Sequence, residues 1–212
     1  MKILVIGSTG RVGRLLVHKL LLKDHFVVTG SRQDGSEFKG DNTGHVKIDL
    51  TWDVETIAAA IPQDTDAIYF VSGSRGKNLL QIDLHGAIKT MQAADQAGIR
   101  RYLMLSSVFS LQPERWNEAF LRDLTDYNIA KHYADKWLIE SSGLDYTILQ
   151  PGALQETTGS GKIKVNIDTP GTNSIENVVD TLIACLGQRT TLGKVITMHD
   201  GDTEIEEALA LL

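Results

Sequence analysis

Gly7-Ser8-Thr9-Gly10-Arg11-Val12-Gly13 places three glycines at GxxGxxG spacing. A residue without Cβ permits a tight turn, another lets backbone approach a pyrophosphate, and a third permits close helix–strand packing. A helix starting there offers unpaired N–H groups and partial positive charge to phosphates. Three glycines alone fit any tight turn. Here an apolar run, Lys2–Ile6, precedes them and helical spacing follows, which is the context of a dinucleotide cradle. An NAD site wants an acid about 20 residues on, to bind the ribose 2′-hydroxyl. That region reads Thr29-Gly30-Ser31-Arg32, with Arg32 19 residues after Gly13 and no acid before Asp34. A guanidinium pairs with a 2′-phosphate and Ser31 adds a hydrogen bond, so NADP is favoured over NAD; the plainer alternative is a solvated loop arginine. Arg11, beside the turn, is a second cation for that phosphate. Asp49-Leu50 offers an acceptor for the adenine amino group and an apolar surface for its ring. Alternatively Asp49 merely begins a turn, and Thr51 or Asp53 caps the next helix. Ser72-Gly73-Ser74-Arg75-Gly76 is expected along the cofactor backbone, with Arg75 as a phosphate or substrate contact.

Tyr127 and Lys131 are four residues apart, on adjacent turns of one helix face. At about 100° per residue, Ala130, Tyr133, Ala134, Trp137 and Leu138 form the expected buried stripe, with Tyr127 at its edge and Lys131 just beyond. That placement suits groups facing a cleft; alternatively, Lys131 snorkels from an apolar face. Ser106 and Ser107 end an apolar run, at the kind of strand end where open α/β sheets hold ligands. Phe109–Thr125 lies between them and the Tyr127 helix and reads as a substrate loop. Its aromatics Phe109, Trp116 and Phe120 are apolar contacts or ordinary packing. The histidines at 18, 25, 45, 85, 132 and 199 show no HxxxH or HExxH spacing, so no metal is expected. Cys185 is the only cysteine, which excludes an internal disulfide and reads as a small core residue.

The elements that must hold these residues alternate. Strands are expected at Lys2–Ile6, Phe26–Thr29, Val46–Ile48, Ala67–Val71, Tyr102–Ser106, Tyr146–Leu149, Ile163–Ile167 and Lys194–Met198. Helices are expected at Arg11–Lys23, Asp53–Ile61, Asn78–Ala97, Asp126–Ser141, Ser174–Leu186 and Thr203–Leu212, with Gly98 and Gly143 as stops. This rhythm predicts a doubly wound parallel α/β sheet with helices on both faces, one domain over residues 1–212, and a small C-terminal add-on after Pro151. The 212 residues suffice for a sizeable core. The net charge of −6 argues against a nucleic-acid partner. No segment approaches the roughly 20 apolar residues of a membrane span, and the start does not read as a signal peptide, so a cytoplasmic protein is expected. No pattern assigns an oligomeric state.

Gly7–Gly13, the Arg32 loop, Asp49-Leu50, Leu105-Ser106-Ser107 and Tyr127–Lys131 resemble, in this order, the atypical branch of the short-chain dehydrogenase/reductase superfamily. The similarity is to the small NAD(P)-binding flavin/biliverdin-reductase-like and NmrA-like groups. Ser142-Gly143-Leu144-Asp145-Tyr146-Thr147-Ile148-Leu149-Gln150-Pro151-Gly152 is especially characteristic, and the resemblance weakens after about residue 160. It implies a Rossmann-like fold, Pro151 beside the cofactor, Tyr127 as general acid/base toward a carbonyl oxygen, and Ser107 or Ser106 orienting that carbonyl. It implies that Lys131 lowers the phenol and bonds the nicotinamide ribose. An ammonium about 4 Å away at an effective dielectric of ~20 is worth ~4 kcal/mol, enough to bring a phenol down by up to ~3 pH units. Gln150 departs from the Arg-Pro-Gly of relatives, which puts recognition of an anionic substrate in doubt, and Glu176-Asn177-Val178-Val179 departs from their Asp-Val-Ala. The expected function is an NADP-dependent oxidoreductase on a small, uncharged carbonyl or quinone-like substrate. The alternatives are a non-catalytic NADP-binding sensor and, third, a small epimerase. Only 61 residues follow Pro151, short for a sugar-nucleotide epimerase domain.

Overall fold

A computed structural model describes residues 1–212, the side chain of Ala119 excepted. The chain begins with β1 (Lys2–Ile6), α1 (Arg11–Leu22), β2 (Phe26–Ser31), β3 (Thr43–Lys47), α2 (Val54–Ala60) and β4 (Ala67–Phe70). It continues with α3 (His85–Gln96), β5 (Arg101–Leu105), α4 (Thr125–Ser141), β6 (Asp145–Pro151), β7 (Ala153–Gln155) and β8 (Lys162–Val165). Last come β9 (Thr172–Ser174), α5 (Ile175–Gly187), β10 (Lys194–Asp200), β11 (Thr203–Glu204) and α6 (Ile205–Ala210).

Nine strands form one sheet in the order β11-β8-β10-β6-β5-β4-β1-β2-β3. From β10 to β3 every pairing is parallel; β8 runs antiparallel to β10 and to β11. The doubly wound sheet expected from the alternation is therefore present, and the residues after Pro151 extend it. The chain reverses its direction of travel across the sheet at β1, which lies between β2 and β4, and open α/β sheets place ligands at the carboxyl end of such a switch point.

Alternation within the strands builds two cores. Ile3 and Val5 join Val27, Leu16, Leu20, Val178 and Leu182 on the α1/α5 face. Leu4 and Ile6 join Val28, Ile57, Ile68, Met91 and Leu138 on the α2/α3/α4 face. Strands buried on both faces read as the continuous apolar runs seen in β1 and β4. Each fully buried aliphatic contributes about 2 kcal/mol. Cys185 is fully buried, and burial pushes its thiol up to about 12, so it serves as the expected core residue.

Several elements differ from expectation, the last helix among them: Thr203–Glu204 is strand β11, and α6 begins at Ile205. The helix expected over Asn78–Ala97 opens as a π-helical segment, Leu79–Leu84, before α3. This wider coil carries Asp83 inward, where its carboxylate accepts from Ser74 N at 3.2 and 3.1 Å. Gly98 then ends α3 at φ +73°, with Ile99 N donating to Ala94 O. The third strand lies at Thr43–Lys47, because pairing with Val27–Ser31, rather than local apolar content, sets its register. The short pair β7–β9 went unread, since Ala153–Gln155 and Thr172–Ser174 are too short to show a period.

Candidate nucleotide and active site

The glycine turn occupies the switch point. Gly7 adopts φ +94°, and a Cβ there would meet Ser72 N at 2.6 Å, so the turn fits tightly against the end of β4. A Cβ on Gly13 would lie 2.1 Å from Gly7 O, which is why α1 can approach the turn so closely. Gly10 is the N-cap, with only Gly7 O near a would-be Cβ, at 3.3 Å. No side chain caps α1 and no acid stands in its first turn, which leaves the turn fit for a phosphate. Ser8 is buried and its Oγ donates to Gly30 O at 3.2 Å, tying the turn to β2. Val12 packs in the core, whereas Thr9 is exposed. Arg11 is exposed and pairs with Glu156 at 3.1 Å, from the segment after β7.

Ser31 and Arg32 diverge. Ser31 has the parity of Val27 and faces α1; its Oγ is buried and has no hydrogen-bond partner among the described residues. Arg32 has the parity of Val28, and its charge helps hold the Asp49 carboxyl down. The larger cause there is the backbone N–H of Thr51, which donates to Asp49 Oδ1 at 2.9 Å, so Asp49 does begin a turn. Asp53 caps α2 through Thr56 N at 2.7 Å. Leu50 is buried, and a Cβ on Gly86 would meet it at 2.8 Å. Ser72 is half-buried against Gly7, Gly73 is exposed beside Asp83, and Arg75 is exposed at φ +54°.

At the carboxyl ends of β5 and β6, α4 presents Tyr127, Lys131 and Asp135, successive at four-residue spacing. Ser106 Oγ donates to Asp135 Oδ2 at 2.7 Å and Ser110 Oγ to the same atom at 2.6 Å. Gln150 Nε2 donates to Asp135 Oδ2 at 3.0 Å and to Ser110 Oγ at 2.7 Å. Ser106 is thus engaged inward, whereas Ser107 Oγ makes no hydrogen bond among the described residues. Gln150 is likewise turned into this network. Gln150 thus faces inward, hydrogen-bonded to Asp135, and is not presented to a ligand. Pro151 is buried in β6, opposite Met198.

Two expectations for α4 are corrected. Tyr133 is 56% exposed, while Asn128, Lys131 and Asp135 are buried with Ala130, Ala134 and Leu138. The inward face is therefore polar, and a stripe of apolar residues does not define it. Lys131 lies within the buried face rather than beyond it: its Nζ donates to Leu105 O at 2.9 Å and lies 5.9 Å from the Tyr127 ring centre. The phenol is not lowered. Burial holds it well above its ordinary value, and Asp83 and Asp135 add to the effect. Burial pushes the Lys131 ammonium down, opposed by Asp135 and Asp83, and pushes the Asp135 carboxyl up.

The Phe109–Thr125 loop packs more than it gapes. Phe109 is fully buried with Val108, Leu121 and Ile167, and the Arg115 guanidinium sits 3.7 Å over its ring. Trp116 Nε1 donates to Phe109 O at 3.0 Å and meets His132 edge-on, while Phe120 packs against the same cluster.

Sequence reading missed Asp83, Ser110 and Asp135. The 127-131-135 spacing puts Asp135 on the face of Tyr127 and Lys131, but nothing within α4 shows that this face is buried; Asp83 was hidden by the π-helical turn.

A family model described as NAD(P)H-binding matches residues 7–189. The chain belongs to that family. It is 38% identical to a Bacillus subtilis protein named "Uncharacterized sugar epimerase YhfK", covering 100% of both chains. A solved structure of the oxidoreductase YlbE from Lactococcus lactis matches at 45% identity and TM-score 0.96, over 100% of this chain and 96% of that one. A short-chain dehydrogenase/reductase from Veillonella parvula shares the fold, at 16% identity and TM-score 0.76 over 97% of each chain. The chain is therefore an NAD(P)-binding protein with a Rossmann-type fold, one that it shares with short-chain dehydrogenases/reductases. Among the described residues no helix is long and apolar enough to cross a membrane.

Asp135 yields a first prediction. Its folded carboxyl lies above the unfolded value of about 3.9, so the stability it permits is complete below about pH 4 and is lost as pH rises through the folded value. Asp135→Asn removes that dependence. Thermal melts are expected to change less between pH 4 and pH 8 in the variant than in the unaltered protein; parallel curves would show that Asp135 ionises without penalty.

Proposed function

We propose that the chain is a cytoplasmic NADP-dependent oxidoreductase, one nucleotide-binding domain over residues 1–212, that reduces a small, uncharged carbonyl or quinone-like compound. The observation that carries this reading is the placement of Tyr127 on α4 and of Ser107, with its uncommitted hydroxyl, at the carboxyl ends of the strands, the same end of the sheet as the glycine turn. Gly7, Ser8, Thr9, Gly10, Arg11, Val12 and Gly13 would hold the diphosphate, Ser31 and Arg32 the phosphorylated ribose, Asp49 and Leu50 the adenine, and Ser72, Gly73 and Pro151 the inner half. When bound, the nicotinamide supplies hydride. Tyr127 gives its proton to the carbonyl oxygen, and Ser107, whose hydroxyl is uncommitted, orients that oxygen. Lys131, fixed on Leu105 O, holds the floor beneath them and offers its remaining protons to a ribose hydroxyl. A phenol that stays protonated serves reduction better than oxidation, in which it must first act as a base.

The name of the Bacillus subtilis relative favours a second reading, a small epimerase. Spectrophotometry separates the two. Incubation with NADPH and a panel of aldehydes, ketones and quinones is expected to give stoichiometric oxidation of the nucleotide. Interconversion of a sugar substrate with no net loss of NADPH would establish the epimerase instead.

A further inference from the structure

The position of Glu37 bears on which nucleotide the site selects. Ser31 lines a small cavity of about 40 Å³ with Ser8, Thr9, Arg14, Glu37 and His45; Arg32 is not among its lining residues. The loop after β2 folds back onto α1, so that an acid 24 residues after Gly13 lines the same cavity as Ser31, at the end of β2 where a dinucleotide fold holds its ribose. His45 pins that loop: its Nε2 is 2.9 Å from Gln33 O and its Nδ1 is 3.1 Å from Thr29 Oγ1. Glu37 does not stand free. Its Oε1 accepts from Arg14 Nε at 2.7 Å, both side chains being largely exposed, at 44% and 59%. An exposed ion pair of this kind is weak and readily exchanged.

Resting on the cofactor reading above, we propose that Arg14 is the residue that selects a 2′-phosphorylated adenine dinucleotide, by leaving Glu37 for the phosphate. Two groups converge on the cavity: the guanidinium of Arg14 and the unpartnered hydroxyl of Ser31. A phosphate dianion takes two parallel hydrogen bonds from a guanidinium and accepts one more from Ser31. Glu37 is then a competing anion, and it lowers affinity for the phosphorylated nucleotide by holding Arg14 and by repelling the phosphate. With a 2′-hydroxyl in its place, Arg14 stays on Glu37 and contributes nothing.

Calorimetric titration of the whole protein with NADPH and with NADH tests this, and no activity is needed. Arg14→Gln is expected to weaken NADPH about 10- to 100-fold, the worth of one charge-assisted contact, and to leave NADH within about twofold. Glu37→Gln is expected to tighten NADPH severalfold with NADH unchanged. Both side chains are exposed, so unchanged melting temperatures confirm that the variants fold. Equal loss for both nucleotides in Arg14→Gln, or no loss, overturns the assignment while the cofactor reading survives. Weaker NADH binding in Glu37→Gln also overturns it, since Glu37 would then accept from the ribose hydroxyl. Binding of neither nucleotide by the unaltered protein removes the cofactor reading and this proposal with it.

Discussion

Tyr127→Phe is expected to lower NADPH-dependent turnover by about 10²- to 10⁴-fold, the usual worth of a positioned acid, while the Kd for NADPH stays unchanged. The substitution removes one oxygen atom. That hydroxyl makes no hydrogen bond among the described residues, so its loss leaves no donor or acceptor stranded and the fold is retained. The same reasoning fixes the pH profile. Burial and two carboxylates keep the phenol protonated across the working range, so its ionisation puts no alkaline limb on turnover between about pH 6 and pH 9. A protein that only senses NADP would keep both nucleotide binding and its downstream effect when Tyr127 is replaced in this way. Full turnover in the variant would remove Tyr127 from the chemistry and leave Ser107 without a partner in it.

The sheet and its cradle were legible in the sequence because both rest on local patterns. Lys2–Ile6 is apolar throughout after its first residue, as a strand buried on two faces must be, and the glycines follow it at once. Strand and helix alternate strongly enough that their order alone dictates parallel pairing. The polar interior of α4 was not legible, for a physical reason. Periodicity separates apolar from polar faces, and it assigns Tyr133 inward. The structure turns Tyr133 out and Asp135 in, because Ser106, Ser110 and Gln150, from the end of β5, the turn after it and β6, supply the hydrogen bonds that let a carboxylate be buried. Those partners are 15 to 29 residues distant in the chain, so no window along α4 contains them. Glu37 was missed in a similar way: a search for an acid near residue 33 presumes that the chain runs straight on from β2, whereas the loop doubles back onto Arg14.

Gly13→Ala should be the most damaging single-methyl addition in the nucleotide site. Its Cβ would fall 2.1 Å from Gly7 O and 2.9 Å from both Gly7 C and Ser8 Cα, and every one of these atoms is backbone. A flexible side chain could swing aside; a turn held by Gly7 N on Gly30 O at 3.2 Å and Gly10 N on Gly7 O at 3.0 Å cannot yield without moving α1 off the sheet. Forced repacking of this kind costs about 3 kcal/mol, on the order of 10 °C in melting temperature for a chain of this size. Displacement of α1 would also spread the first-turn amides, so the stabilisation that NADPH gives in a thermal-shift assay is expected to vanish. Gly10→Ala supplies the contrast. Its Cβ has only Gly7 O nearby, at 3.3 Å, so the fold loses no more than the roughly 1 kcal/mol that alanine costs at an N-cap. Nucleotide binding should still fall, because the methyl stands on the helix N-terminus that a phosphate must approach. The pair separates two uses of glycine in one motif: Gly13 lets helix and strand close on each other, and Gly10 keeps the mouth open. Wild-type melting and NADPH response in Gly13→Ala would mean that the turn is not built this way.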